Sequence, residues 1–471
     1  MAELEGARDL TTGSVPRHLI AFSLPMLAGS AIQTGYSVIN RFWVGRYLSA
    51  DALAAVTVSM PVLFVTIALA AGLTLGANIL VSQRFGAKDW PGLRNAVQAS
   101  AALIAIVAVA LLALGLALAR PLLVLMNTPP SIIGSANSYL HIMICTLPLT
   151  FAVFLLASTL RGIGDSKTPV YFQAWSLALN AALDPLLMFG WLGFPRLGLN
   201  GTAWASVVSQ SAAVSALLIY IPRRRPLVMP DLRRPRIDRE TAGLLARIGL
   251  PTMVQQSVVS VSMLFIVSFV NRFGADADAA FGAGLTVDGV AFVPAITFGM
   301  AVSTMAGQNI GAGRLERVRG VFWWGLAISG LISGLITVLA VGLPELVLRL
   351  FLRDAQVIGI GVSYLRIVGF TYVLYAVLFV SNGVINGSGH TLATTLMTAA
   401  SLWGIRLPLA ALLPHHLGGV RGIWYAMLSS VACGMVMSLG YYASGRWRRS
   451  AVHRAVPLSA RGEAPDVEQV E

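Results

Sequence analysis

Two stretches of the chain, VSQRFGAKD at 81–89 and AGQNIGAGR at 306–314, share one pattern of glutamine and glycine residues. Gln83 and Gly86 of the first stretch recur as Gln308 and Gly311 of the second. Three further pairs match in the same order: SLPMLAGS (23–30) with GLPTMVQQ (249–256), STLRGIGDSKTP (158–169) with NGVINGSGHTLA (382–393), and GLNGTAWA (198–205) with GVRGIWYA (419–426). Matches that keep their order indicate that the chain consists of two related halves.

Composition places both halves in a membrane. Of the 471 residues, 56% are hydrophobic and 11% are charged, and the mean hydropathy is +0.76, far from the values of soluble domains. Apolar stretches of about 20 residues, each long enough to cross a bilayer as a helix, recur along the whole chain. They predict twelve spans, near residues 18–45, 52–80, 95–119, 134–159, 168–190, 197–221, 243–272, 276–305, 318–342, 358–386, 390–414 and 417–444.

The predicted fold is an all-α integral membrane protein with twelve transmembrane helices in two pseudo-symmetric six-helix lobes. The predicted units are an N-lobe (1–221), a basic cytoplasmic linker (222–242), a C-lobe (243–444) and a cytoplasmic tail (445–471). Because each half has an even number of spans, both halves enter the membrane with the same orientation. Parallel repeats of this kind are typical of secondary transporters, in which one bundle rocks against the other around a central cavity.

The net charge of +13 does not indicate a nucleic-acid-binding protein, because the basic residues are concentrated on one side of the membrane. Most of them lie in segments that share a side with the N-terminus, so the positive-inside rule predicts that both termini are cytoplasmic in a plasma-membrane protein. The basic cluster at 222–240 and a second cluster, GRWRRS at 445–450, are interpreted as anchors on an anionic leaflet. The polar N-terminus lacks the features of a signal peptide.

No enzyme signature is present in the sequence. The chain has no GxxxxGK[ST] loop for nucleotide phosphates, and its glycine-rich runs lack the preceding strand of a dinucleotide-binding fold. We therefore expect no catalytic residues, no metal site and no organic cofactor. The expected partners are the lipid bilayer and a small organic molecule, without nucleic acid, and the chain is expected to act as a monomer.

A carboxylate lies within the fifth predicted span, in SLALNAALDPLLMFG at 176–190. A charged side chain at membrane depth costs at least about 2.5 kcal/mol, so such residues usually face a protein interior or a cavity and mark a transport route. Asn180 lies one helical turn before Asp184, where its amide group can hydrogen-bond the acid. Alternatively, Asp184 caps a short helix that Pro185 begins, and the two interpretations are compatible.

Other polar side chains are predicted at the depth of Asp184. Counting about 1.5 Å per residue from the outer ends of the spans brings several polar residues to a similar level. They are Tyr36 and Asn40 of the first span, Tyr139 of the fourth and Thr202 of the sixth. An acid among amide and hydroxyl groups suits a proton or cation site, because burial raises a carboxyl pKa and nearby donors lower it. Sodium uses the same oxygen ligands, so the coupling ion is either a proton or sodium. Alternatively, each Tyr or Thr forms a hydrogen bond that only joins two helices.

The second half has one clear intramembrane carboxylate, Asp288 in the eighth predicted span. Gln255 and Gln256 of the seventh span are predicted at a comparable depth. Two basic residues of the later spans, Arg366 and Arg406, either pair with this acid or face the substrate. A purely structural role is the alternative, since buried ion pairs also hold helices together.

Four motifs together resemble those of the multidrug and toxic compound extrusion (MATE) family. They are VINRFWVGRYLSADALAAV (38–56), GANILVSQRFGAKD (76–89), STLRGIGDSKTP (158–169) and LNAALDPLLMFGWLGFPRLGLNGTAWA (179–205). The match extends over essentially the whole chain. The resemblance implies twelve helices in two six-helix lobes and export of organic cations driven by proton or sodium entry. It also implies an N-lobe cation site at Asn180, Asp184, Tyr139 and Thr202.

The chain departs from the family at one acid of the first span. The family usually has Asp five residues before the Gly of a VG pair, where this chain has Asn40, followed by an unusual Arg41. A neutral amide cannot carry a proton. The resemblance therefore implies a site in which Asp184 is the single acid.

Other branches of the family use acids on the seventh and tenth spans instead. In this chain Gln255 or Gln256 lies about where the seventh-span acid would be, and the tenth span offers Tyr375 but no acid. That sodium site is expected to be absent. These neutral residues, with Asp288 and Arg406, are candidates for the substrate cavity.

Three functions differ in how well they account for these features. A cation-coupled antiporter that exports organic, cationic drugs or metabolites by alternating access accounts for the paired lobes and the membrane-depth acids. A flippase for a lipid-linked anionic precursor is expected to need several basic residues at the cavity, whereas Arg41, Arg366 and Arg406 are the ones available within the spans. A receptor or scaffold gives no reason for two lobes. The sequence favours the antiporter, with a proton or sodium as the coupling ion.

Overall fold

The computed structural model describes residues 8–47, 50–230 and 238–449, and every regular element within these ranges is helical. The first half contains α1 (Val15–Tyr47), α2 (Ala50–Gly86), α3 (Trp90–Leu125), α4 (Pro130–Cys145), α5 (Leu147–Gly162), α6 (Lys167–Phe189) and α7 (Leu199–Arg224). The second half contains α8 (Arg239–Asn271), α9 (Ala275–Gly311), α10 (Leu315–Gly342), α11 (Pro344–Leu348), α12 (Ala355–Val368), α13 (Thr371–Gly387), α14 (Thr391–Ala399), a π-helical turn (Ala400–Arg406), α15 (Leu407–His416) and α16 (Arg421–Ala443).

Twelve spans arranged in two lobes confirm the predicted fold class. Within the described residues, eleven helical segments are long and apolar enough to cross a membrane. The remaining span is α6, whose 23 residues are also long enough at about 1.5 Å each. It is less apolar than the others because it carries the polar residues of the N-lobe site.

Three spans that the sequence predicts as continuous helices are interrupted. The fourth span consists of α4 and α5, which meet at Thr146 just before Pro148. The tenth consists of α12 and α13, which meet at Gly369 and Phe370, and the eleventh passes through the π-helical turn between α14 and α15. Such interruptions persist in membranes where neighbouring helices satisfy the freed backbone groups. They are invisible to hydropathy, because the interrupted segments stay apolar.

Aspartate caps set where two of the long helices begin. The carboxylate of Asp89 accepts a hydrogen bond from the N–H of Gly92 at 2.9 Å, at the start of α3. Asp238, at the start of α8, accepts from the hydroxyl and N–H groups of Thr241. These bonds hold the pKa of Asp238 below its usual range. Both caps satisfy N–H groups that have no partner within the first helical turn.

A reciprocal pair of hydrogen bonds joins the lobes and follows the sequence repeat. The side-chain N–H of Gln83 in α2 donates to the carbonyl of Gly387, at the end of α13, at 2.6 Å. The side-chain N–H of Gln308 in α9 donates to the carbonyl of Gly162, at the end of α5, at 2.9 Å. All four residues are buried. Because donors and acceptors are repeat equivalents, a pseudo-two-fold axis relates the two lobes through this contact.

The crossing of α2 and α9 requires glycine at two equivalent positions. A β-carbon on Gly86 would lie 1.9 Å from the carbonyl oxygen of Gln308, and one on Gly311 would lie 2.0 Å from that of Gln83. No side chain fits at such distances unless the helices separate. The repeated pattern therefore has a structural role, in which glycine permits the crossing and glutamine bonds each helix to the opposite lobe.

Further contacts between the lobes lie between this crossing and the membrane centre. The hydroxyl of Thr252 in α8 donates to the carbonyl of Gly72 in α2 at 2.5 Å, and Thr304 in α9 donates to Asn78 in α2 at 3.1 Å. A largely apolar groove of about 320 Å³, with Leu69 on one wall, lies between α2 and α8 beyond this contact. The hydrogen-bonded contact thus occupies the half of the protein at which α1 begins and α16 ends, which we call the terminal face.

The segment before α1 is fastened to the C-lobe at the terminal face, and we call residues 9–12 the N-terminal strap. Leu10 is fully buried, and its N–H donates to the side-chain oxygen of Gln308 at 3.1 Å. Arg314 and Arg317, at the start of α10, each donate to a strap carbonyl oxygen at 2.6 Å. The strap therefore connects α1 of the N-lobe to α9 and α10 of the C-lobe.

One arginine of the predicted linker has a structural role. Arg225 is buried and forms an ion pair with Asp165 in the turn before α6, with Nη2 3.0 Å from Oδ2. The interpretation of the basic cluster as a leaflet anchor is therefore wrong for Arg225, because its guanidinium group faces protein. Residues 231–237 and 450–471, which hold much of that cluster and most of the predicted tail, lie outside the described residues. The boundaries of linker and tail stay predictions.

Gly86→Ala and Gly311→Ala are each expected to destabilise the protein by about 1–3 kcal/mol, because the new β-carbon overlaps a carbonyl oxygen. Thermal unfolding of the purified protein in detergent measures the effect. Gly330→Ala in α10 is the matched control: nothing lies within 4 Å of its β-position, so it is expected to be neutral or stabilising. Unfolding midpoints that stay unchanged in both test variants would contradict the close crossing.

Candidate functional site

Helix α6 carries two polar residues into the interior of the N-lobe. The helix is continuous over Lys167–Phe189 and passes through Pro185. The alternative in which Asp184 caps a new short helix is therefore wrong. Asp184 is 1% exposed and Asn180 is 4% exposed. Their side chains face neighbouring helices, which is the environment that an intramembrane acid needs.

Asn180 is the centre of a hydrogen-bond network that joins three helices. Its amide nitrogen donates to the hydroxyl oxygens of Ser209 at 3.0 Å and Ser206 at 3.2 Å, both in α7. Its amide oxygen accepts a hydrogen bond from the hydroxyl group of Tyr36 in α1. A buried amide with partners on both sides is held in one orientation. Asn180 thereby fixes the positions of α1 and α7 relative to α6.

Tyr36 connects this amide to the acid. Its hydroxyl oxygen, which bonds Asn180, also lies 3.4 Å from Oδ2 of Asp184. One hydroxyl group therefore contacts both polar residues of α6. Tyr36 is only half-buried, whereas Asn180 and Asp184 are buried, so Tyr36 forms the more exposed edge of the site.

Tyr139 and Thr202 border the same cluster. Tyr139 of α4 is buried and lies within electrostatic range of Asp184. Thr202 is buried in α7, one turn before Ser206, and its hydroxyl donates to the carbonyl of Leu199 at 2.9 Å, which leaves its oxygen as an acceptor. The structure thus brings four of the predicted residues, Tyr36, Tyr139, Asn180 and Thr202, into one cluster with Asp184. The side chain of Asn40, which the sequence also assigns to this site, lies outside the described residues.

The cluster has the chemistry of a proton or small-cation site. Its carboxylate, amide and hydroxyl oxygens are hard ligands of the kind that sodium prefers, and the carboxylate also accepts a proton. Among the described side chains of the cluster, Asp184 is the single carboxylate. One charge therefore changes when the site is loaded, whichever cation binds.

A second buried acid lies in the C-lobe. Asp288 in α9 is 3% exposed and accepts hydrogen bonds from two tyrosine hydroxyl groups. Tyr364 donates to Oδ2 at 2.5 Å and Tyr372 donates to Oδ1 at 2.7 Å. Tyr364 belongs to α12 and Tyr372 to α13. The carboxylate therefore bridges the two parts of the interrupted tenth span, and each of its oxygens is engaged.

Of the two alternatives for the arginines, the pairing with Asp288 is wrong. Within the described part of the chain, no arginine forms an ion pair with Asp288. Arg406 is buried, donates its Nε–H to Ser430 at 2.8 Å and approaches the hydroxyl of Tyr375 at 3.5 Å. Arg366 is exposed. Two tyrosine hydroxyls already stabilise the carboxylate, which removes the need for a cationic partner.

The neutral candidates of the C-lobe have different surroundings. Gln255 donates its side-chain N–H to the hydroxyl of Thr398 at 2.8 Å, whereas Gln256 is exposed. Tyr375 packs edge-on against Phe292, with ring centroids 4.6 Å apart. Gln255 therefore connects α8 to α14, and Gln256 and Tyr375 remain candidates for the substrate cavity.

Four residues of the two acid clusters were missed by the sequence reasoning. Ser206 and Ser209 follow Thr202 at helical spacing, so they share a face of α7, and this pattern was a usable signal. Tyr364 and Tyr372 lie in the tenth span, but their shared contact depends on the break between α12 and α13. No pattern in the sequence reports that geometry.

Comparisons with known proteins agree with this architecture. The family model described as MatE matches residues 25–186 and 251–412, one range in each sequence half. "Probable multidrug resistance protein YoeA" of Bacillus subtilis (strain 168) is 31% identical over 447 residues, covering 94% of this chain and 96% of the relative. The "FAD transporter" of Shewanella oneidensis is 25% identical over 438 residues, covering 91% and 96%.

Solved structures show the same fold. A multidrug resistance MATE family transporter of the MOP superfamily, in an outward-facing conformation, superimposes with a TM-score of 0.86 at 24% identity, covering 96% of this chain and 99% of that one. A MOP superfamily transporter from Pyrococcus furiosus gives a TM-score of 0.86 at 25% identity, covering 95% and 98%.

Tyr364→Phe and Tyr372→Phe are each expected to destabilise the protein by about 1–3 kcal/mol, because each removes a donor from a buried carboxylate. Thermal unfolding in detergent measures the change. Tyr425→Phe, an exposed tyrosine of α16, is the control and is expected to stay within about 0.5 kcal/mol of the parent. Equal stability of all three variants would show that Asp288 does not depend on these hydroxyls.

Proposed function

The chain belongs to the MATE family of multidrug efflux transporters, and on this premise we propose that it is a cation-coupled antiporter that works by alternating access. Members of the family are secondary transporters and not enzymes. We assign the coupling ion, a proton or sodium, to the Asp184 cluster. The proposed cargo is an amphipathic organic drug or metabolite that carries positive charge.

The burial of Asp184 among uncharged oxygen-bearing side chains is the observation that supports this assignment most strongly. An acid at this depth is costly to keep, and the hydroxyl that lies 3.4 Å from it belongs to Tyr36 of a different helix, which also bonds Asn180. The hydroxyl of Tyr36 is shared between the amide and the acid. A change in the charge of Asp184 therefore alters the balance between these two hydrogen bonds.

Helix α1 provides a mechanical route from this site to the lobe contact. At one level it carries Tyr36, which bonds α6. At its beginning it continues from the strap, which bonds α9 and α10. We propose that loading of Asp184 shifts α1 against α6, and that the shift reaches the C-lobe through the strap. An ion can drive a conformational change only if it interacts differently with the two conformations. In this proposal, the hydrogen bond of Tyr36 provides that difference.

The terminal face is proposed to be the cytoplasmic face of the plasma membrane. The positive-inside rule supports this orientation, since the arginines that hold the strap also lie there. With that orientation, the hydrogen-bonded crossing of α2 and α9 closes the path from the cytoplasm. The present arrangement then corresponds to the state that is open to the outside. We propose that one chain suffices for transport, because both acids and both lobes lie within it.

The flippase alternative is not favoured by the family membership. Among the arginines within the described spans, Arg406 is bonded to Ser430. A cavity for an anionic headgroup would need several basic side chains free to contact it. The relative named as a FAD transporter indicates that cargo differs among similar chains. We therefore base the proposed cationic cargo on the family as a whole rather than on any one relative.

Transport in liposomes tests the coupling role. Proton and sodium gradients are imposed separately while a fluorescent organic cation is followed. We expect transport under at least one gradient, and Asp184→Asn is expected to reduce it to the level of protein-free liposomes because the amide cannot change charge. Asp276→Asn, which alters an exposed acid at the start of α9, is the control and should transport like the parent.

Efflux that persists in Asp184→Asn would reject the assignment of the coupling ion to this acid. If the folded protein transports the organic cation under neither gradient, the result would instead support the flippase. The control separates these results from a general effect of removing one negative charge.

Arg317→Ala is expected to favour the state in which the lobes separate at the terminal face, because it removes a bond to the strap. One hydrogen bond contributes about 1 kcal/mol net, so the population of that state should rise roughly fivefold. In a chain without native cysteines, Ser82→Cys reports the change, since Ser82 is buried against Gly307 of the other lobe. A membrane-impermeant thiol reagent should react correspondingly faster. Arg17→Ala, an exposed arginine at the same face, should leave the rate unchanged, and equal rates in both variants would remove the strap from the mechanism.

A further inference from the structure

A pocket with aromatic walls and two arginines lies at the terminal face, away from both acid clusters. Its volume is about 240 Å³. We call it the arginine–aromatic pocket, and it is lined by Arg319 and Trp323 of α10, Tyr442 and Ala443 at the end of α16, and Trp447 and Arg448 of the following turn. Neither the coupling site nor the lobe crossing uses these side chains.

Two aromatic walls of the pocket, Tyr442 and Trp447, pack against each other and against the core. Trp447 is 2% exposed, and its indole N–H donates to the carbonyl of Tyr442 at 2.9 Å. The ring of Tyr442 stacks on Phe322 with centroids 3.8 Å apart and faces Trp447 at 5.5 Å with the planes nearly parallel. Phe322 and Trp447 belong to a core cluster that also buries Leu10 of the strap. The pocket is therefore an extension of the packed core, although it follows the last span.

The two arginines leave positive charge at the pocket. Arg319 and Arg448 are both exposed, and the guanidinium group of Arg448 lies 5.8 Å from the ring centre of Trp447. In the described ranges, neither arginine has a carboxylate within 4.0 Å. Arg446 and Arg449 lie in the same short segment. An anion at the pocket therefore meets charges that no acid of the described chain neutralises.

The position of the pocket along α10 matches the membrane interface. This helix has 28 residues, about 42 Å, so a helix centred in a hydrocarbon core of about 30 Å extends roughly 6 Å beyond each side. Arg319 is the fifth residue, about 6 Å along the helix, so its backbone lies at the edge of the hydrocarbon and its long side chain reaches the headgroups. Trp323, one turn further and 60% exposed, lies about 6 Å inside the hydrocarbon. Tryptophan and arginine at these two levels suit the polar and apolar parts of one lipid molecule.

We propose that the arginine–aromatic pocket binds the headgroup of an anionic phospholipid. The phosphate group lies between the guanidinium groups of Arg319 and Arg448, and the first part of an acyl chain lies along Trp323. Charge complementarity favours an anion, and the position at the hydrocarbon edge favours a lipid over a soluble ligand. Because the walls share a core with Leu10, an occupied pocket also stabilises the folded chain.

Thermal unfolding of the full chain in a neutral detergent tests the proposal. The probes are a short-chain phosphatidylglycerol, the matching phosphatidylcholine, and inorganic phosphate. We expect phosphatidylglycerol to raise the unfolding midpoint with a saturable dependence on concentration, and the other two to have little effect. Arg319→Ala and Arg448→Ala are each expected to weaken the apparent affinity roughly fivefold.

Arg17→Ala is the matched control, because it removes an exposed arginine from the same face outside the pocket. If Arg17→Ala weakens the lipid effect as much as the pocket variants do, general surface charge explains the effect and the site is rejected. An equal response to inorganic phosphate would show a soluble-anion site instead. As a second measurement, a phosphatidylglycerol brominated near the headgroup should quench tryptophan fluorescence, and Trp323→Phe should remove much of that quenching. Unchanged quenching would also overturn the proposed position.

Discussion

The carbonyl groups at the ends of α5 and α13 are buried where neither helix can satisfy them, and each is satisfied by a glutamine of the opposite lobe. Without water at that depth, a carbonyl group with no hydrogen-bond donor costs free energy. Each lobe therefore supplies a glutamine N–H donor to a carbonyl group of the other lobe. The glutamines reach these carbonyls because glycine lets α2 and α9 cross closely. The strap is held in the same way, because its backbone groups form hydrogen bonds with side chains of the other lobe. The closed terminal face therefore contains polar contacts that form only between the two halves, and apolar residues of both lobes pack beside them.

The two acids occupy this near-symmetric frame differently. Asp288 accepts a hydrogen bond on each oxygen from a tyrosine, and these tyrosines hold together the two parts of one interrupted span. Asp184 shares the hydroxyl of Tyr36 with Asn180, across two helices. A carboxylate held by two charge-assisted bonds suits a structural junction. A carboxylate that competes with an amide for one hydroxyl suits a site whose partners change when its charge changes.

Much of this architecture could be predicted from the sequence, because the repeat places equivalent residues on equivalent helices. The partners of Asp184 could be predicted too, since depth along a straight helix follows from counting residues. The partners of Asp288 could not. In one continuous helix, Tyr364 and Tyr372 would lie about 12 Å apart along the axis and about 80° apart around it. The break at Gly369 brings both hydroxyls to one carboxylate. Arg225 was also missed, because a basic cluster does not reveal which of its members turns toward a buried acid.

The free energy of the contact at the terminal face matters as much as its position. A net contribution of about 0.5–1.5 kcal/mol per hydrogen bond gives the reciprocal pair and the strap together an energy of several kcal/mol. Moving one elementary charge through 100 mV is worth about 2.3 kcal/mol. Apolar side chains of both lobes also pack at this face: Leu19 and Phe22 of α1 share a core cluster with Val302 of α9, and Ile79 of α2 shares one with Leu244 of α8. Because rocking one bundle against the other exchanges contacts at one face for contacts at the other, the single acid has to supply only the difference in free energy between the two states.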